Sequence, residues 1–150
     1  MQLIVTTVVA TIAVTTVGIL LYMSFMSADR NGWQTLAKSY RLRDHGGGFR
    51  GRKFHFCTAV MNGFAFHGIL VIGVSGEGLL LHPIWLLRAF HPTLFFPWAA
   101  LEATALQRTH FRGVRVTLRE PQEIDGSPAP LVLEWSEKTH RLVADHLPIG

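Results

Sequence analysis

LIVTTVVATIAVTTVGILLYMSFM, residues Leu3 to Met26, runs for 24 residues without a charge, His, Asn, Gln or Pro. As a helix rising about 1.5 Å per residue it reaches roughly 36 Å, enough to cross a hydrocarbon core of about 30 Å. Everything after it is then tethered to a bilayer. A cleaved signal peptide is the rival reading. No basic segment precedes the run, which is about twice the usual apolar length of a signal, and Met26 stands where cleavage before Asp29 would need a small residue. The sequence predicts an anchor over residues 1–28.

Lys and Arg close to a span are retained on the cytoplasmic side. Only the chain's amino group precedes the run, whereas Arg30, Lys38, Arg41, Arg43, Arg50, Arg52 and Lys53 follow it, half of the 14 Lys and Arg. The expected placement is a single-pass protein of the inner membrane, N-terminus outside and C-terminal domain in the cytoplasm. The lone Cys57 agrees, since an exported domain of this size more often pairs its cysteines; its expected role is that of a small buried hydrophobe.

The formal charge of +4 divides unevenly. Residues 29–53 carry seven positive and two negative charges, residues 54–150 seven and eight. Basicity therefore belongs to a membrane-proximal segment, read as a linker over residues 29–52, and Arg41, Arg43, Arg50, Arg52 and Lys53 are the candidate contacts for anionic headgroups. No basic motif interleaved with aromatics supports nucleic-acid binding. Within the span, Thr7, Thr11, Thr15, Ala10 and Gly18 share one side, a small face on which a partner's helix could pack. Threonines bonding back to their own helix would give the same pattern. The span holds no His to ligate haem or chlorophyll.

ADRNG (Ala28–Gly32) is expected to end the span. Trp33, Leu36, Ala37 and Tyr40 then fall at i, i+3, i+4 and i+7, predicting an amphipathic helix to about Leu42 whose aromatic face lies at the headgroups. HGGG (His45–Gly48) reads as a flexible connection.

Residues 53–150 read as short strands: Lys53–Met61, Gly68–Val74, Gly78–His82, Thr93–Phe96, Ala103–Phe111, Val114–Glu120 and Leu131–Ser136. Turn signals separate them at NG (62–63), SGEG (75–78), RG (112–113) and the EIDGSPAP loop (123–130). Val114, Val116 and Leu118 alternate with polar residues, and the apolar run Ile69–Val74 is expected to be buried on both faces. Ser136 is placed to cap a helix from Glu137 to about His146. The fold class is α+β: one N-terminal transmembrane helix, then a mainly antiparallel β barrel with a C-terminal helix.

Consecutive antiparallel strands closed by one helix follow the order of a pleckstrin-homology-like (PH-like) barrel. GVSGEGLLL (Gly73–Leu81) followed by RAFHPTLFFPWAAL (Arg88–Leu101) resembles small bacterial membrane-anchored proteins with a GLxL … R…HPPL…IPW..I pattern, and more distantly bacterial PH and GRAM-type domains. The resemblance covers residues 33–105 and is most specific at His91-Pro92 and Pro97-Trp98. Thr93 and Phe96 stand where that pattern often has Pro and Ile. It implies the PH-like fold and brings no catalytic residue with it.

Chemistry finds little support. GVSGEG departs from the nucleophile elbow because Glu77 stands at the last required glycine, and it reads as a turn with two glycines at positive φ. No GK[ST] follows to make a phosphate loop. The eight histidines show no metal-ligand spacing, and Glu102, Glu120, Glu123 and Glu134 form no acid–base pair. No metal, cofactor or small-molecule substrate is implied, and no enzyme is expected.

Apolar surface stands out instead. HPIWLLRAFHPTLFFPW (His82–Trp98) holds more large side chains than a small barrel readily buries; the strands use part of the set, the rest is either core covering the barrel end or a contact for a partner or the bilayer, and Trp85, Leu86 and Phe90 are the candidate partner contacts. Two functions follow as expectations. In the first, the chain is an accessory or scaffolding subunit of a membrane complex, respiratory or photosynthetic assemblies being natural hosts; it packs the Thr7–Gly18 face on other subunits and docks through Trp85. In the second, its basic segment senses anionic lipid.

Overall fold

Helix α1 (Gln2–Arg30) begins the chain, and within it Ile4–Met23 is long and apolar enough to cross a membrane, with none of that window buried. The structure is a computed structural model and describes residues 1–42, 48–108, 111–120, 122–124, 127–129 and 131–144. The hydroxyls of Thr6, Thr11, Thr15 and Thr16 each donate to the carbonyl four residues earlier at 2.8–2.9 Å. Those polar groups are thereby satisfied inside the helix, as hydrocarbon surroundings require. The helix runs through Ala28-Asp29-Arg30 and breaks later than expected, because these residues tolerate helical φ. The break itself is Gly32 at φ 75.

Helix α2 (Trp33–Tyr40) has the predicted spacing but a different target. Trp33, Leu36, Ala37 and Tyr40 are buried in the core of the β domain, not laid against headgroups. The Trp33 ring meets Phe66 at 5.7 Å between centroids, and Tyr40 meets Phe96 at 4.8 Å. An apolar stripe records only that one face avoids water; here the apolar interior of the sheet covers it. The helix ends at Tyr40, and Arg41 is already extended, bridged to Leu94.

The β domain is a nearly closed antiparallel sheet of seven strands in the order β4-β3-β2-β1-β9-β6-β5. Its strands are β1 (Arg52–Met61), β2 (Phe64–Val74), β3 (Gly78–Pro83), β4 (Leu94–Pro97), β5 (Leu101–Arg108), β6 (Phe111–Leu118) and β9 (Val132–Ser136). A separate hairpin, β7 (Gln122–Ile124) with β8 (Ser127–Ala129), occupies part of the loop expected over 123–130. Strand β1 pairs with both β2 and β9 and shifts register between Phe54, Cys57 and Ala59. Phe56, at φ 58, sits in that irregularity. Such a bulge bends the strand, letting one strand serve both halves of a curling sheet.

Asn62 (φ 49) and Gly63 (φ 82) form the expected NG turn. Strand β2 starts at Phe64, not Gly68, because Gly68 takes a positive φ inside the strand and donates its N–H to Thr58 Oγ1 at 3.0 Å. Likewise Arg112 and Gly113 lie within β6, paired with Gln107 and Leu106, and do not form the turn expected there.

Leu70, Ile72, Val74, Leu79, Leu81, Phe96, Val116, Leu133 and Trp135 build the interior, and Val71, Leu80 and Phe95 are buried on the other face of β2–β4. Ile69–Val74 is thus covered on both sides from Leu70 onward, as its continuous apolar run predicts. Helix α3 (Glu137–Val143) packs on β1, β6 and β9, with Val143 and Thr139 buried. Ser136 caps it as expected, its Oγ accepting the Thr139 N–H at 3.3 Å. The part of the expected helix beyond residue 144 lies outside the described residues.

Candidate functional site

Between β3 and β4 the chain reads IWLLRAFHPT, and its backbone is fastened at both ends. The Ile84 N–H donates to the Ile69 carbonyl at 2.8 Å, after which Trp85–Leu87 make one tight 3-10 turn. At the far end Trp33 Nε1–H donates to the Pro92 carbonyl at 2.7 Å, and the Gln34 amide donates to the carbonyl of Phe90. His91, 1% exposed, stands edge-on to the rings of Trp33 and Phe66, and its Nδ1 donates to the Leu87 carbonyl at 3.3 Å. From this fastened connection the Trp85 indole projects with 80% of its surface exposed.

The apolar stretch 82–98 is therefore divided. Leu94, Phe95 and Phe96 are buried strand residues, Phe90 is half-buried, and Trp85 remains outside. The side chain of Leu86 lies outside the described residues. Both specific pieces of the sequence pattern are fastenings. The Pro92 carbonyl receives Trp33, and Trp98 Nε1–H donates to the Ser75 carbonyl at 2.8 Å, tying the end of β4 to the β2–β3 turn.

Two depressions flank this connection. One is an open apolar groove of about 430 Å³ where the last turns of α1 (Leu20, Met23, Met26) face Phe64, Ile69 and Leu87, with Arg30 also lining it. The other is a more polar cleft of about 540 Å³ lined by Gln34, Arg41, Arg88 and Thr93; Arg88 Nη2 donates to Thr93 Oγ1 at 3.2 Å. His91 borders both.

The described members of the five basic candidates lie on different elements. Arg41 lies at the end of α2 beside β4, while Arg52 and Lys53 pair with Val74 and Gly73 and lie over the rings of Phe54 and Phe49. Arg50 is exposed just before β1, and Arg43 lies outside the described residues. Among the described residues the cation that shares a cleft with Arg41 is Arg88, which lies within the apolar stretch 82–98. The Arg41–Leu94 bridge and the Leu42 N–H bond to the Thr93 carbonyl at 3.0 Å, both long-range features, bring the two together. On α1, Thr7, Thr11, Thr15 and Gly18 keep their common side, with the hydroxyls of Thr11 and Thr15 turned onto the helix's own carbonyls.

The reactive side chains are tuned for burial. Burial pushes the Cys57 thiol up, the direction opposite to thiolate activation, and it pushes His82 and His91 down. Ser75 Oγ accepts the N–H groups of Glu77 and Gly78 and so closes the β2–β3 turn. The positive φ expected at Gly76 and Gly78 is absent: Gly78 is required for space, since a Cβ there would meet the Phe96 carbonyl oxygen at 2.3 Å. Glu134 pairs with Arg115 at 2.6 Å, and Glu137 with Arg141 at 2.5 Å. Among the described residues no group of three or more His, Cys, Asp or Glu could hold a metal ion. No family model, curated protein or solved structure matches the chain.

Proposed function

We propose that the chain is a single-pass inner-membrane protein whose cytoplasmic domain, a PH-like barrel, is a non-catalytic accessory or scaffolding subunit of a larger membrane complex. The barrel reading is supported by the strand order, four meandering strands followed by three, and by the C-terminal helix packed on β1, β6 and β9. The orientation rests on the seven Lys and Arg that follow the span within residues 30–53.

One observation carries the docking role: an 80% exposed tryptophan on a connection whose backbone is otherwise fastened to α2 and β2. A large aromatic held in water on a rigid platform loses little entropy when a partner covers it, and tryptophans of this kind contribute about 2 kcal/mol or more at interface centres. The full chain extracted from its native membrane in mild detergent should migrate well above monomer mass on native electrophoresis. Trp85→Ala should weaken that association about thirtyfold, while the unfolding midpoint of the domain stays put. A monomeric wild type, or an unchanged assembly in the variant, would sink the reading.

The cleft shared by Arg41 and Arg88 favours a second reading, recognition of an anionic headgroup. Replacing both by Gln should then lower the phosphatidylglycerol that co-purifies with the protein.

A further inference from the structure

Helix α1 meets the β domain before its apolar window ends. Leu20 and Met23 belong to the apolar window Ile4–Met23, yet they share a groove with Phe64, Ile69 and Leu87 of the β domain. Spaced at 20, 23, 26 and 30, the α1 residues form one stripe, which begins inside the spanning window and ends on Arg30 beyond it. The protein does not fill this groove: Leu20 and Met23 keep 46% and 62% of their surface exposed.

With α1 inserted, Leu20 and Met23 lie at hydrocarbon depth, and the groove carries that apolar environment upward between helix and barrel. Water there would find few polar partners. A volume of about 430 Å³ is within the range of sites that enclose a small ligand. At a helix diameter of about 10 Å it corresponds to only about one turn, too little to seat a partner's transmembrane helix. From Met23 to Arg30 the helix rises about 10 Å, roughly the thickness of one headgroup layer with a small excess. Side chains on a helix lean toward its N-terminus, here toward the membrane, so the Arg30 guanidinium reaches back to phosphate level.

We propose that a phospholipid of the leaflet adjoining the domain seats one acyl chain in this groove, against Met26, Ile69 and Leu87, and sets its phosphate on Arg30. The lipid would act as a wedge that fixes the tilt of the barrel on its anchor. This site meets the Arg41–Arg88 cleft at His91 but includes none of Arg41, Arg88 and Trp85, and it requires neither a partner nor headgroup recognition by the barrel.

The test uses the purified full chain in nanodiscs of phosphatidylcholine with a minority of phosphatidylglycerol, the acyl chains carrying a diazirine. After irradiation, adducts mapped by peptide mass spectrometry should fall on Phe64, Ile69 and Leu87 as well as on the span. Adducts confined to residues 4–23 would mean ordinary surrounding lipid and overturn the proposal. Leu87→Glu and Met26→Glu, on opposite walls, should each cut domain adducts about tenfold relative to span adducts; undiminished adducts in both would overturn it. Arg30→Gln should keep the chain in the groove but lower the preference for phosphatidylglycerol about fivefold, whereas Lys138→Gln, exposed on α3, leaves it unchanged. An unaltered preference in Arg30→Gln removes the phosphate from Arg30. Native electrophoresis of Trp85→Ala has no bearing on these readouts, so the two proposals fail independently.

Discussion

Asn62 donates its side-chain amide N–H to the carbonyl of Asn31 at 2.7 Å, joining the β1–β2 turn to the turn between α1 and α2. The Oδ1 of the same side chain accepts the Val132 N–H, and the Asn62 backbone N–H donates to the Val132 carbonyl, both at 2.8 Å. Three segments far apart in the chain meet at one residue. Gly32 completes the arrangement, because a Cβ there would approach Asn62 Nδ2 to 3.2 Å at a φ of 75. The domain is thus held to its anchor by a hydrogen-bonded turn.

Asn62→Ala should destabilise the domain by about 3 kcal/mol, from two lost side-chain hydrogen bonds at about 1–1.5 kcal/mol each plus the strain of alanine at φ 49. Asn62→Gly accepts that φ and should lose only the hydrogen-bond part. Urea unfolding of the full chain in detergent micelles, followed by tryptophan fluorescence, separates the two. An alanine variant within about 0.5 kcal/mol of wild type would show that the amide holds nothing in place.

Gly78 and Gly76 are two residues apart and should respond in opposite ways. At Gly78 a methyl group would collide with the Phe96 carbonyl oxygen at 2.3 Å and the Phe95 ring at 2.8 Å, where β3 pairs with β4. Gly78→Ala should cost about 3 kcal/mol or disrupt the β4 edge outright. Gly76 has nothing within 4 Å of an added Cβ, and Gly76→Ala should stay within about 0.5 kcal/mol of wild type. Equal thermal midpoints for the two variants would refute the close approach.

Acid should loosen the fold in a definite window. His82 and His91 are buried, and that burial lowers their pKa below the ordinary 6.5. Their bonds to the Pro83 and Leu87 carbonyls oppose the shift, and at His82 Arg88, Lys53 and His55 add to it. Well above pH 6.5 both rings are neutral, folded or unfolded, and their contribution is fully present. As the pH falls below 6.5 toward the depressed native values, the unfolded chain binds protons that the native state refuses, so stability falls. Two such groups give a slope of at most about 2.7 kcal/mol per pH unit. His82→Gln should remove about half of that slope between pH 6.5 and 5; a flat urea midpoint across this range in wild type would contradict the burial.

The strands were legible because local signals agreed with the long-range result. NG at 62–63, the alternation of Val114, Val116 and Leu118, and the Ser136 cap each carry their own stereochemistry. Misreadings came where a residue's local habit was overruled. Gly68 and Gly113 resemble breakers but lie inside paired strands, and the aromatic face of α2 faces the domain interior where the reading expected a membrane. Of the candidate site, the sequence marks the apolar stretch 82–98 but does not by itself separate the exposed Trp85 from Leu94, Phe95 and Phe96, which the sheet buries. The Arg41–Arg88 cleft and the groove beside α1 were not legible, since each is assembled from segments that only the sheet order brings together.

Trp33→Phe tests whether the platform matters as much as the tryptophan it presents. The substitution keeps an aromatic ring against Phe66 and His91 but deletes the Nε1–H that reaches the Pro92 carbonyl. About 1–1.5 kcal/mol is lost with that hydrogen bond, and the smaller ring leaves a cavity that raises the total to about 2 kcal/mol. Because Pro92 anchors the end of the connection that carries Trp85, the loss should also free the 84–93 backbone, seen as faster amide hydrogen exchange there than in β1 or β2. Association measured by native electrophoresis should then weaken although Trp85 itself is intact, since ordering a loosened loop at the interface costs binding energy. If exchange quickens but association is unchanged, Trp85 docks without its platform; if exchange over 84–93 is unchanged, the connection is held by His91 and the strands on either side of it.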